Sequence, residues 1–421
     1  MSMNYRQRLV CFFKACKRSR LYVFSLLVLL PCAVAPATKS GDNPVLAGQI
    51  AKLEKILPTI RDRAAVLFFL AYDYARMGNF DRSLTLLKEC IEADEGFDPS
   101  GDPEYEPIKK RSDFLALIDR VHRIFPPVHR AQIAFVVPER DVIPEGLAVD
   151  SGNGTFYMGS LHRRSILRID PHGVIADFVK VGHYDFGPVC GIKVDPQDHS
   201  VWANTCSNSG AHAELLHFDR NGKLLDRFGA PTPGKHLFND LVIVQNKIYL
   251  TDSLANAVYQ FDSRTRTFAR ISFSRALHYP NGIAISGDGR LLYVADAFGV
   301  LEVDLRSMSA QEVDPGPHNT LAQADGLYWY EGSLVAVQNG IGSARVAQFR
   351  LSTDGLKVTK AVILEYRTEF VTLPTTGAIL NGEFYFMGNT QLDNLNDENK
   401  IVNPQKLEPI RVGTVKLEDL H

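Results

Sequence analysis

Six positions at similar intervals carry the residues best suited to chemistry in this sequence. They lie 45, 49, 42, 44 and 51 residues apart and are here called the channel ring: Glu145, Cys190, Asn239, Asn281, Asp325 and Thr376. Two carboxylates forced together in a dry site repel each other unless a cation or a proton lies between them. The oxygen donors Glu145, Asn239, Asn281 and Asp325 therefore predict a divalent-cation site, most suited to Ca²⁺. Mn²⁺ and Mg²⁺ are also acceptable, and Zn²⁺ is less expected because these four include neither His nor thiolate.

Short strands must position these residues. Each channel-ring residue opens an apolar segment, and a turn and a second strand follow at 155–159, 201–205, 247–251, 291–295, 333–338 and 383–388. Repeats of about 40 to 50 residues with about four strands each are typical of β-propeller blades. We therefore predict a mainly β fold, a six-bladed β-propeller over residues 131–421, in which strands 132–137 and 411–415 share the closing blade. The first strand of each blade lines the central channel, and each channel-ring residue opens such a strand. The six residues are therefore expected at one height, near the mouth of the channel.

Simpler explanations compete with parts of this prediction. Turn chemistry alone favours Asn and Asp beside Gly, although it does not explain Glu145 or why polar positions converge on one point. A β-sandwich of unrelated hairpins would also give strands of period two, but not six similar intervals. Residues 389–405, rich in Asn and Asp, are expected to form a solvated loop before the last strand, with a cap over the channel mouth as the alternative.

Residues 38–130 follow a helical period. Apolar residues recur at helical spacing around 67–74 and 84–91, and the Gly-Asn-Phe-Asp turn at 78–81 offers a helix stop and then a cap. We predict an antiparallel helical hairpin, which resembles one tetratricopeptide repeat with Cys90 as a small packed residue. One such unit cannot bury both faces, so it is expected to pack on flanking helices or on the propeller. The region is also a candidate for docking a protein partner.

The first 37 residues have the three parts of a secretory signal peptide. A basic stretch precedes an apolar run of 15 residues, 21–35, and the pattern Ala35-Pro36-Ala37, after which cleavage is expected. The run is shorter than the roughly 20 residues that cross a bilayer as a helix. An uncleaved anchor and a lipoprotein at Cys32 are the alternatives. The mature protein is expected to be periplasmic or extracellular, with no membrane contact beyond the signal segment.

The charge of the chain bears on its partners, and its cysteine content bears on a possible disulfide. The formal net charge is −2, and the charged residues of the signal segment are all basic, so no nucleic-acid partner is expected. The mature chain would keep Cys90, Cys190 and Cys206. A hairpin centred near Asp198 would bring Cys190 and Cys206 face to face. Either a disulfide or two packed free thiols fits this arrangement.

Four ordered motifs resemble the gluconolactonase and senescence-marker-protein (regucalcin-like) family of six-bladed calcium propellers. They are Pro-Glu-Gly at 144–146, Asn-Asp at 239–240, Pro-Asn-Gly at 280–282 followed by Leu-Tyr-Val-Ala-Asp at 292–296, and Ala-Asp-Gly-Leu at 324–327. The resemblance implies a metal-dependent hydrolase of lactones or related esters. It implies Glu145, Asn281 and Asp325 as metal ligands, with Asn239 binding metal, substrate or water. It also implies Asp325 as the general base.

The chain departs at one position from the paraoxonase-like propellers, which it resembles more distantly. Where those enzymes use a histidine as a base, this sequence has Cys190. Loop histidines before the inner strands could replace that base or bind a substrate carboxylate; the four histidines concerned are His183, His236, His278 and His318. Exposed loop histidines with no such role are the alternative. Cys190, Thr376, His236 and His278 are thus candidates for binding substrate or supporting the cation ligands.

Motifs for other chemistry are absent from the sequence. It contains no phosphate-binding loop, nucleophile elbow or dinucleotide fingerprint, so a Ser-His-Asp hydrolase is unsupported. We expect an exported enzyme that opens a lactone or related ester while a divalent ion polarises the carbonyl. The rival is a non-catalytic, metal-stabilised propeller that binds a peptide, a glycan or an envelope protein. An open cleft above the ion would favour the enzyme, and a closed shell the rival.

Overall fold

The computed structural model describes residues 43–207, 209–210 and 213–420. The predicted signal peptide, residues 1–37, lies outside the described residues. Across the described part of the chain, no helix combines the length and apolar character needed to cross a membrane.

Four α-helices of the described chain precede the propeller. They are α1 Pro44–Ile56, α2 Arg63–Arg76, α3 Phe80–Glu92 and α4 Ser112–Ile124, with 3₁₀ turns at Pro99–Gly101 and Pro103–Ile108. The side chains of Asn43, Asp62 and Asn79 cap the first three by accepting backbone N–H bonds from their first turns. The predicted hairpin is formed by α2 and α3, and Cys90 is buried and free within it. Its likeness to a tetratricopeptide repeat stays a prediction.

Six antiparallel sheets follow in the described chain. The first two strands, β1 Val128–His129 and β2 Gln132–Val137, join sheets that later strands complete. Blade 1 contains β3 Pro144–Asp150, β4 Thr155–Ser160, β5 Ser165–Ile169 and β6 Ile175–Val179. Blade 2 contains β7 Val189–Val194, β8 Val201–Thr205, β9 Glu214–Phe218 and β10 Leu224–Gly229. Blade 3 contains β11 Phe238–Val244, β12 Lys247–Asp252, β13 Ala257–Asp262 and β14 Thr267–Arg270. Blade 4 contains β15 Ile283–Ile285, β16 Leu291–Asp296, β17 Gly299–Asp304 and β18 Ser309–Glu312. Blade 5 contains β19 Ala324–Tyr330, β20 Ser333–Gln338, β21 Arg345–Leu351 and β22 Val358–Tyr366. Blade 6 contains β23 Gly377–Leu380, β24 Glu383–Met387 and β25 Ile410–Lys416.

The circle of blades closes through β2. This strand pairs antiparallel with β25 as the outer strand of blade 6, so the start and the end of the propeller sequence share one blade. The short β1 pairs with β22 and adds a fifth strand to the edge of blade 5. The predicted mainly β, six-bladed propeller with this closure is confirmed.

Glycines let the inner strands approach one another around the channel. A Cβ on Gly146 would lie 2.0 Å from the Cys190 carbonyl oxygen, and one on Gly191 would lie 2.4 Å from the Asn239 carbonyl oxygen. The glycine after a channel-ring residue therefore serves close packing between blades. Near the channel-ring residue, the pairing of the inner strand shifts register in blades 1, 2, 3 and 5. A bulge of this kind redirects a side chain out of the regular alternation of a strand.

One face of the propeller, here called the mouth face, carries the channel ring and the loops that lead into the inner strands. The helices pack on this face over blades 4 and 5. Phe298, in the turn between β16 and β17, meets Phe69 of α2 edge-on, with ring centroids 5.9 Å apart. Ala322 and Ile341, from loops of blade 5, join the same apolar core. The helical region therefore stands beside the channel mouth.

Candidate metal centre at the channel mouth

The inner strands bury all six channel-ring residues, each with 1–6% of its surface exposed. Hydrogen bonds connect some of them across neighbouring blades. Asn281 Nδ2 of blade 4 donates to Asp325 Oδ1 of blade 5 at 2.7 Å. The Thr376 hydroxyl of blade 6 donates to the Glu145 carbonyl oxygen of blade 1 at 2.6 Å. The structure thus brings these four predicted site residues into two contacting pairs.

Two amides hold Asp325 in place. Its Oδ1 accepts from Asn281, and its Oδ2 accepts from Asn339 Nδ2 at 2.6 Å. Asn339 is fixed in turn because its amide also donates to the Pro374 carbonyl at 2.8 Å. Burial raises the pKa of Asp325 to about 8, although both amide donors act to lower it. The carboxyl group is therefore oriented, but its charge is not fully compensated by the protein.

Glu145 belongs to the same acidic group and lacks such donors. Its Oε2 is buried and has no hydrogen-bond partner in the described chain. Burial raises the pKa of Glu145 well above its usual range, and the charges of Asp325 and Asp240 raise it further. Asn281 Oδ1 is also buried and has no hydrogen-bond partner among the described residues. Buried polar atoms are rarely left unpaired, and carboxylate and amide oxygens suit a hard dication, so these residues fit a divalent cation.

The candidate ligand set depends on asparagine. Among the described residues, no group of three or more His, Cys, Asp or Glu is placed to hold a metal ion. A cation held by Glu145 and Asp325 would need further oxygen ligands of the kind that Ca²⁺ accepts, and the Asn281 amide oxygen could supply one. Asn239 donates its Nδ2 to Ser253 Oγ at 3.1 Å, a bond that leaves its amide oxygen for another role.

Lys193 and Tyr328 were not expected at the site, and Asp240 was expected only as part of the Asn-Asp motif at 239–240, with no role of its own. Asp240 is buried beside the channel ring, and its Oδ1 lies 2.9 Å from Lys193 Nζ. Lys193 Nζ also lies 5.5 Å from the centre of the Tyr328 ring, whose hydroxyl accepts from the Gly377 amide at 2.6 Å. A lysine inside an otherwise apolar inner strand was the signal that could have revealed this group.

Tyr279 was also missed, and it faces the same acids from the loop before Asn281. Burial raises the pKa of Tyr279, and the charges of Asp325 and Glu145 raise it further. Its φ of 55° lies in the left-handed region, which residues other than Gly rarely adopt. The Asn256 side chain stabilises this backbone by accepting from the Tyr279 amide at 2.7 Å. Backbone strain of this kind is often found at functional sites.

Two predicted site residues have structural partners. Cys190 forms a disulfide with Cys206, with Cα atoms 6.0 Å apart, which confirms the disulfide hypothesis and makes the free-thiol alternative wrong. The Thr376 hydroxyl donates to the Glu145 carbonyl and accepts from the Leu147 amide at 3.2 Å. Both side chains join neighbouring strands, so Cys190 offers no thiol and Thr376 already uses its hydroxyl proton.

His236 is buried with both ring nitrogens engaged. Its Nδ1 lies 2.5 Å from Asp252 Oδ2, and its Nε2 lies 2.8 Å from the Thr232 carbonyl oxygen. The imidazole therefore fixes the loop before β11. A free base at this position would require these bonds to break.

The other candidate histidines lie around the mouth face. His278 packs edge-on against Phe298 with ring centroids 5.1 Å apart, and burial lowers its pKa. His183 is exposed, and His318 Nδ1 lies 3.2 Å from the Ala93 carbonyl oxygen. No hydrogen bond between described residues links any candidate histidine to a channel-ring side chain. The acids of the channel ring are therefore the better candidates for a base.

A loop of blade 6 lies against the mouth face. Residues 392–407, between β24 and β25 and here called the cap, place Leu392 and Leu407 in a buried apolar cluster. The other buried members are Cys190 on the inner strand β7 and four residues from loops of blades 1 to 3: Ile143, Leu161, Cys206 and Leu237. The expected solvated loop at 389–405 is correct only in part: the residues at 393, 396–398 and 404–405 are exposed, whereas Leu392 is buried in an apolar cluster that the sequence pattern did not reveal.

Comparisons with known proteins find similarity among solved structures. No family model and no curated protein matches the chain. The chain is similar to the gluconolactonase XC5397 from Xanthomonas campestris, with 14% identity and a TM-score of 0.48 over 69% of this chain and 97% of that one. It is also similar to virginiamycin B lyase from Staphylococcus aureus, with 16% identity and a TM-score of 0.47 over 69% and 99%. A PQQ-bound aldose sugar dehydrogenase from Streptomyces coelicolor gives 15% identity and a TM-score of 0.47 over 69% and 100%.

Identities of 14–16% leave the chemistry to be argued from this chain's own residues. Those residues concentrate negative charge in dry surroundings. The acids Glu145, Asp240 and Asp325 interact with one another, and Lys193 contacts Asp240. Such a centre can bind a cation, hold a proton, or accept a proton from a bound molecule.

Proposed function

We propose that this protein is a metal-dependent hydrolase that opens a lactone or related ester. Glu145, Asn281 and Asp325 would hold the divalent cation, and Asn239 would bind the cation or the substrate. One observation carries the proposal: Glu145 Oε2 and Asn281 Oδ1 are buried without hydrogen-bond partners in the described chain, and both belong to the group around Asp325. The motif resemblance supports the same three ligands.

The charge of the centre favours a cation. Burial raises the pKa of Glu145 and of Asp325. Repulsion from Asp325 and Asp240 raises the pKa of Glu145 further, and repulsion from Asp240 raises that of Asp325. Asp240 contributes a third carboxylate, which Lys193 partly compensates. Burying uncompensated charges is costly, and a dication would relieve that cost while keeping the carboxylates ionised. Oxygen donors favour Ca²⁺, with Mn²⁺, Mg²⁺ or Zn²⁺ as alternatives.

The proposed reaction divides the work between the cation and the protein. A bound cation would polarise the substrate carbonyl and stabilise the negative charge that develops on its oxygen. Asp325 has one amide donor on each carboxylate oxygen, so its remaining lone pairs have defined directions. Asp325 would orient a water molecule and accept its proton as the water attacks the carbonyl carbon. The ring C–O bond would then break, the leaving alkoxide would take the proton from Asp325, and the lactone would open to a hydroxy acid.

A second candidate function is favoured by the cap. Because the channel ring is buried and the cap joins the apolar cluster beside it, the cation could serve only to lock the blades together. The propeller would then be non-catalytic. Its outer surface or its helical region would bind a peptide, a glycan or an envelope protein.

One experiment separates the two functions. Hydrolysis of aldonolactones, alkyl lactones and aryl esters is measured with the purified protein after chelation and after Ca²⁺ is added back. We expect Ca²⁺ to restore turnover in the wild type and in Asp119→Ala, an exposed control on α4. Asp325→Ala should stay inactive. Bound Ca²⁺ without turnover would support the non-catalytic propeller, and the absence of both would overturn both proposals.

We further propose that the mature protein works in the periplasm or outside the cell. The disulfide between Cys190 and Cys206 fits an oxidising compartment. Residues 38–130 and 131–421 would form its helical region and its propeller. The N-terminal sequence of the exported protein tests the proposed cleavage after Ala37.

A further inference from the structure

An apolar surface lies next to the channel ring. Two residues before their channel-ring positions, Ile143 and Leu237 are buried in the cluster that the cap covers. Leu161, Leu254 and Leu373 belong to the same cluster and come from blades 1, 3 and 6. These five residues are here called the apolar wall. A molecule that reached the acids from this side of the mouth would contact aliphatic side chains.

The cap now covers this wall. Four of its side chains belong to the cluster: Leu392, Leu395, Ile401 and Leu407. The base of the cap is closed because Gln391 bonds both backbone groups of Glu408, at 2.7 and 3.0 Å. A loop whose ends are joined and whose own side chains pack together is a compact unit. The cap therefore rests on the wall mainly through aliphatic contacts, as an apolar ligand would.

Two polar contacts from blade 1 hold the cap in this position. His162 Nδ1 donates to the Asn399 carbonyl oxygen at 3.0 Å, and Arg140 Nη1 donates to the Leu407 carbonyl oxygen at 3.3 Å. Water can replace both donors when the cap lifts, so breaking these contacts costs little. The aliphatic contacts dominate the closed position, and an apolar ligand can replace them.

We propose that the cap occupies the place of the apolar part of the substrate. The inference rests on the proposed function and names its substrate class: lactones or esters with an alkyl or similar apolar substituent. A polyhydroxylated sugar lactone would press its hydroxyl groups against the wall, where they would lose water without gaining partners. An alkyl substituent would instead replace the aliphatic side chains of the displaced cap.

A pair of lactones with the same ring tests the preference. D-glucono-δ-lactone and δ-decanolactone share a six-membered lactone ring. The first carries hydroxyl groups on that ring, and the second carries an alkyl chain. With Ca²⁺-loaded protein, we expect kcat/KM to be at least about 100-fold higher for δ-decanolactone. Leu254→Asn should lower kcat/KM for δ-decanolactone about 10-fold. It should leave kcat/KM for δ-valerolactone, which has no substituent, within about twofold of the wild-type value. Leu225→Asn, exposed on β10, is the matched control.

The cap has its own variant and control. Leu392→Ser combined with Leu407→Ser should weaken the closed position, lower KM for δ-decanolactone and tighten calorimetric binding of the product, 5-hydroxydecanoate. Val402→Ser should change neither value, because Val402 lies on the same loop with 49% of its surface exposed. Circular dichroism checks that each variant is folded.

The outcomes separate this inference from the hydrolase proposal. Binding of 5-hydroxydecanoate that Leu254→Asn weakens, without turnover of any lactone, would support the apolar site and overturn the hydrolase. A preference for D-glucono-δ-lactone, or an equal effect of Leu254→Asn on δ-decanolactone and δ-valerolactone, would overturn the apolar preference and leave the hydrolase standing. Neither binding nor turnover would overturn both.

Discussion

The surroundings of Asp325 have two opposing effects on its pKa. Donation from Asn281 and Asn339 favours the ionised carboxylate, whereas burial favours the neutral acid. Burial dominates, because the pKa is raised to about 8. Without a cation, the folded protein therefore holds a proton at pH values where the unfolded chain has released it. A cation competes with that proton for the same oxygens.

The first prediction concerns the stability of metal-free protein between pH 5 and pH 8. A folded-state pKa above the unfolded value means that the folded state binds more protons, so the free energy of unfolding falls as pH rises through this window. Ca²⁺ at 100 times the Kd that holds at pH 8 should stabilise the protein by about 2.7 kcal/mol at pH 8. The same concentration should stabilise it less at pH 5, because protons compete for the ligand oxygens. Thermal unfolding with and without Ca²⁺ measures both effects.

Asp325→Asn is the control for that experiment. It removes one titrating acid and one ligand, so the slope with pH should become shallower and the response to Ca²⁺ should disappear. Glu95 and Asp102, whose pKa values burial raises to about 9 and about 8, keep their own contribution to the slope. A response to Ca²⁺ that is the same in the wild type and the variant would contradict the assignment of Asp325.

The sequence predicts the channel-ring residues because they recur at one position of a repeated strand pattern. It does not predict Asn339 or Tyr279, because these residues reach the acids from a turn and a loop outside that pattern. The Cys190–Cys206 disulfide lies within blade 2 and was one of two alternatives expected from the sequence, whereas the bond from Thr376 to the Glu145 carbonyl joins two blades and was not expected. The strand register within a blade can be predicted from the local sequence pattern, whereas the contacts between blades cannot.

At the scale of elements, the close approach of inner strands explains the glycines that follow Glu145 and Cys190. The missing side chain at Gly146 or Gly191 makes room for a carbonyl of the next blade. This contact brings the channel-ring residues of neighbouring blades near one another. The cap shows what a local sequence pattern cannot predict, because its Asn- and Asp-rich sequence suggested solvent exposure, whereas Leu392 and Leu407 are buried.

The second prediction uses this contact. Gly191→Ala should lower the free energy of unfolding by about 1–3 kcal/mol, because the added methyl group overlaps the Asn239 carbonyl oxygen. Gly229→Ala is the matched control, since a Cβ there meets no atom within 4 Å, and its effect should stay within about 0.5 kcal/mol. Urea unfolding measures both. Equal effects at the two glycines would refute the packing explanation.

At the scale of the whole molecule, a buried polar group joins the helices to blade 5. Arg345 is 3% exposed; its Nε donates to Gln338 Oε1 at 2.7 Å and its Nη1 to the Glu95 carbonyl oxygen at 3.2 Å. Burial lowers the pKa of Arg345 to about 10, while the acids Glu95 and Asp62 counteract the shift. Asp62 caps α2 and accepts from the Thr320 hydroxyl of the propeller.

The third prediction is that helices and propeller unfold together. Arg345→Met should lower the free energy of unfolding by about 3–5 kcal/mol, because it leaves buried acids and acceptors without their cation. Arg227→Met, which breaks the more exposed ion pair with Glu214, should cost at most about 1 kcal/mol. Circular dichroism and fluorescence during urea unfolding should report one transition. Separate transitions, or a small loss in Arg345→Met, would show that the two regions are not coupled.

The most direct test of the metal centre is calorimetric titration of chelator-treated protein with CaCl₂. The wild type should bind one Ca²⁺ per chain through the oxygens of Glu145, Asn281 and Asp325, and affinity should increase from pH 6 to pH 8 as protons leave these acids. Asp325→Asn and Glu145→Gln should each reduce affinity at least about 100-fold. No saturable binding, or equal binding by wild type and both variants, would contradict a cation site in the channel.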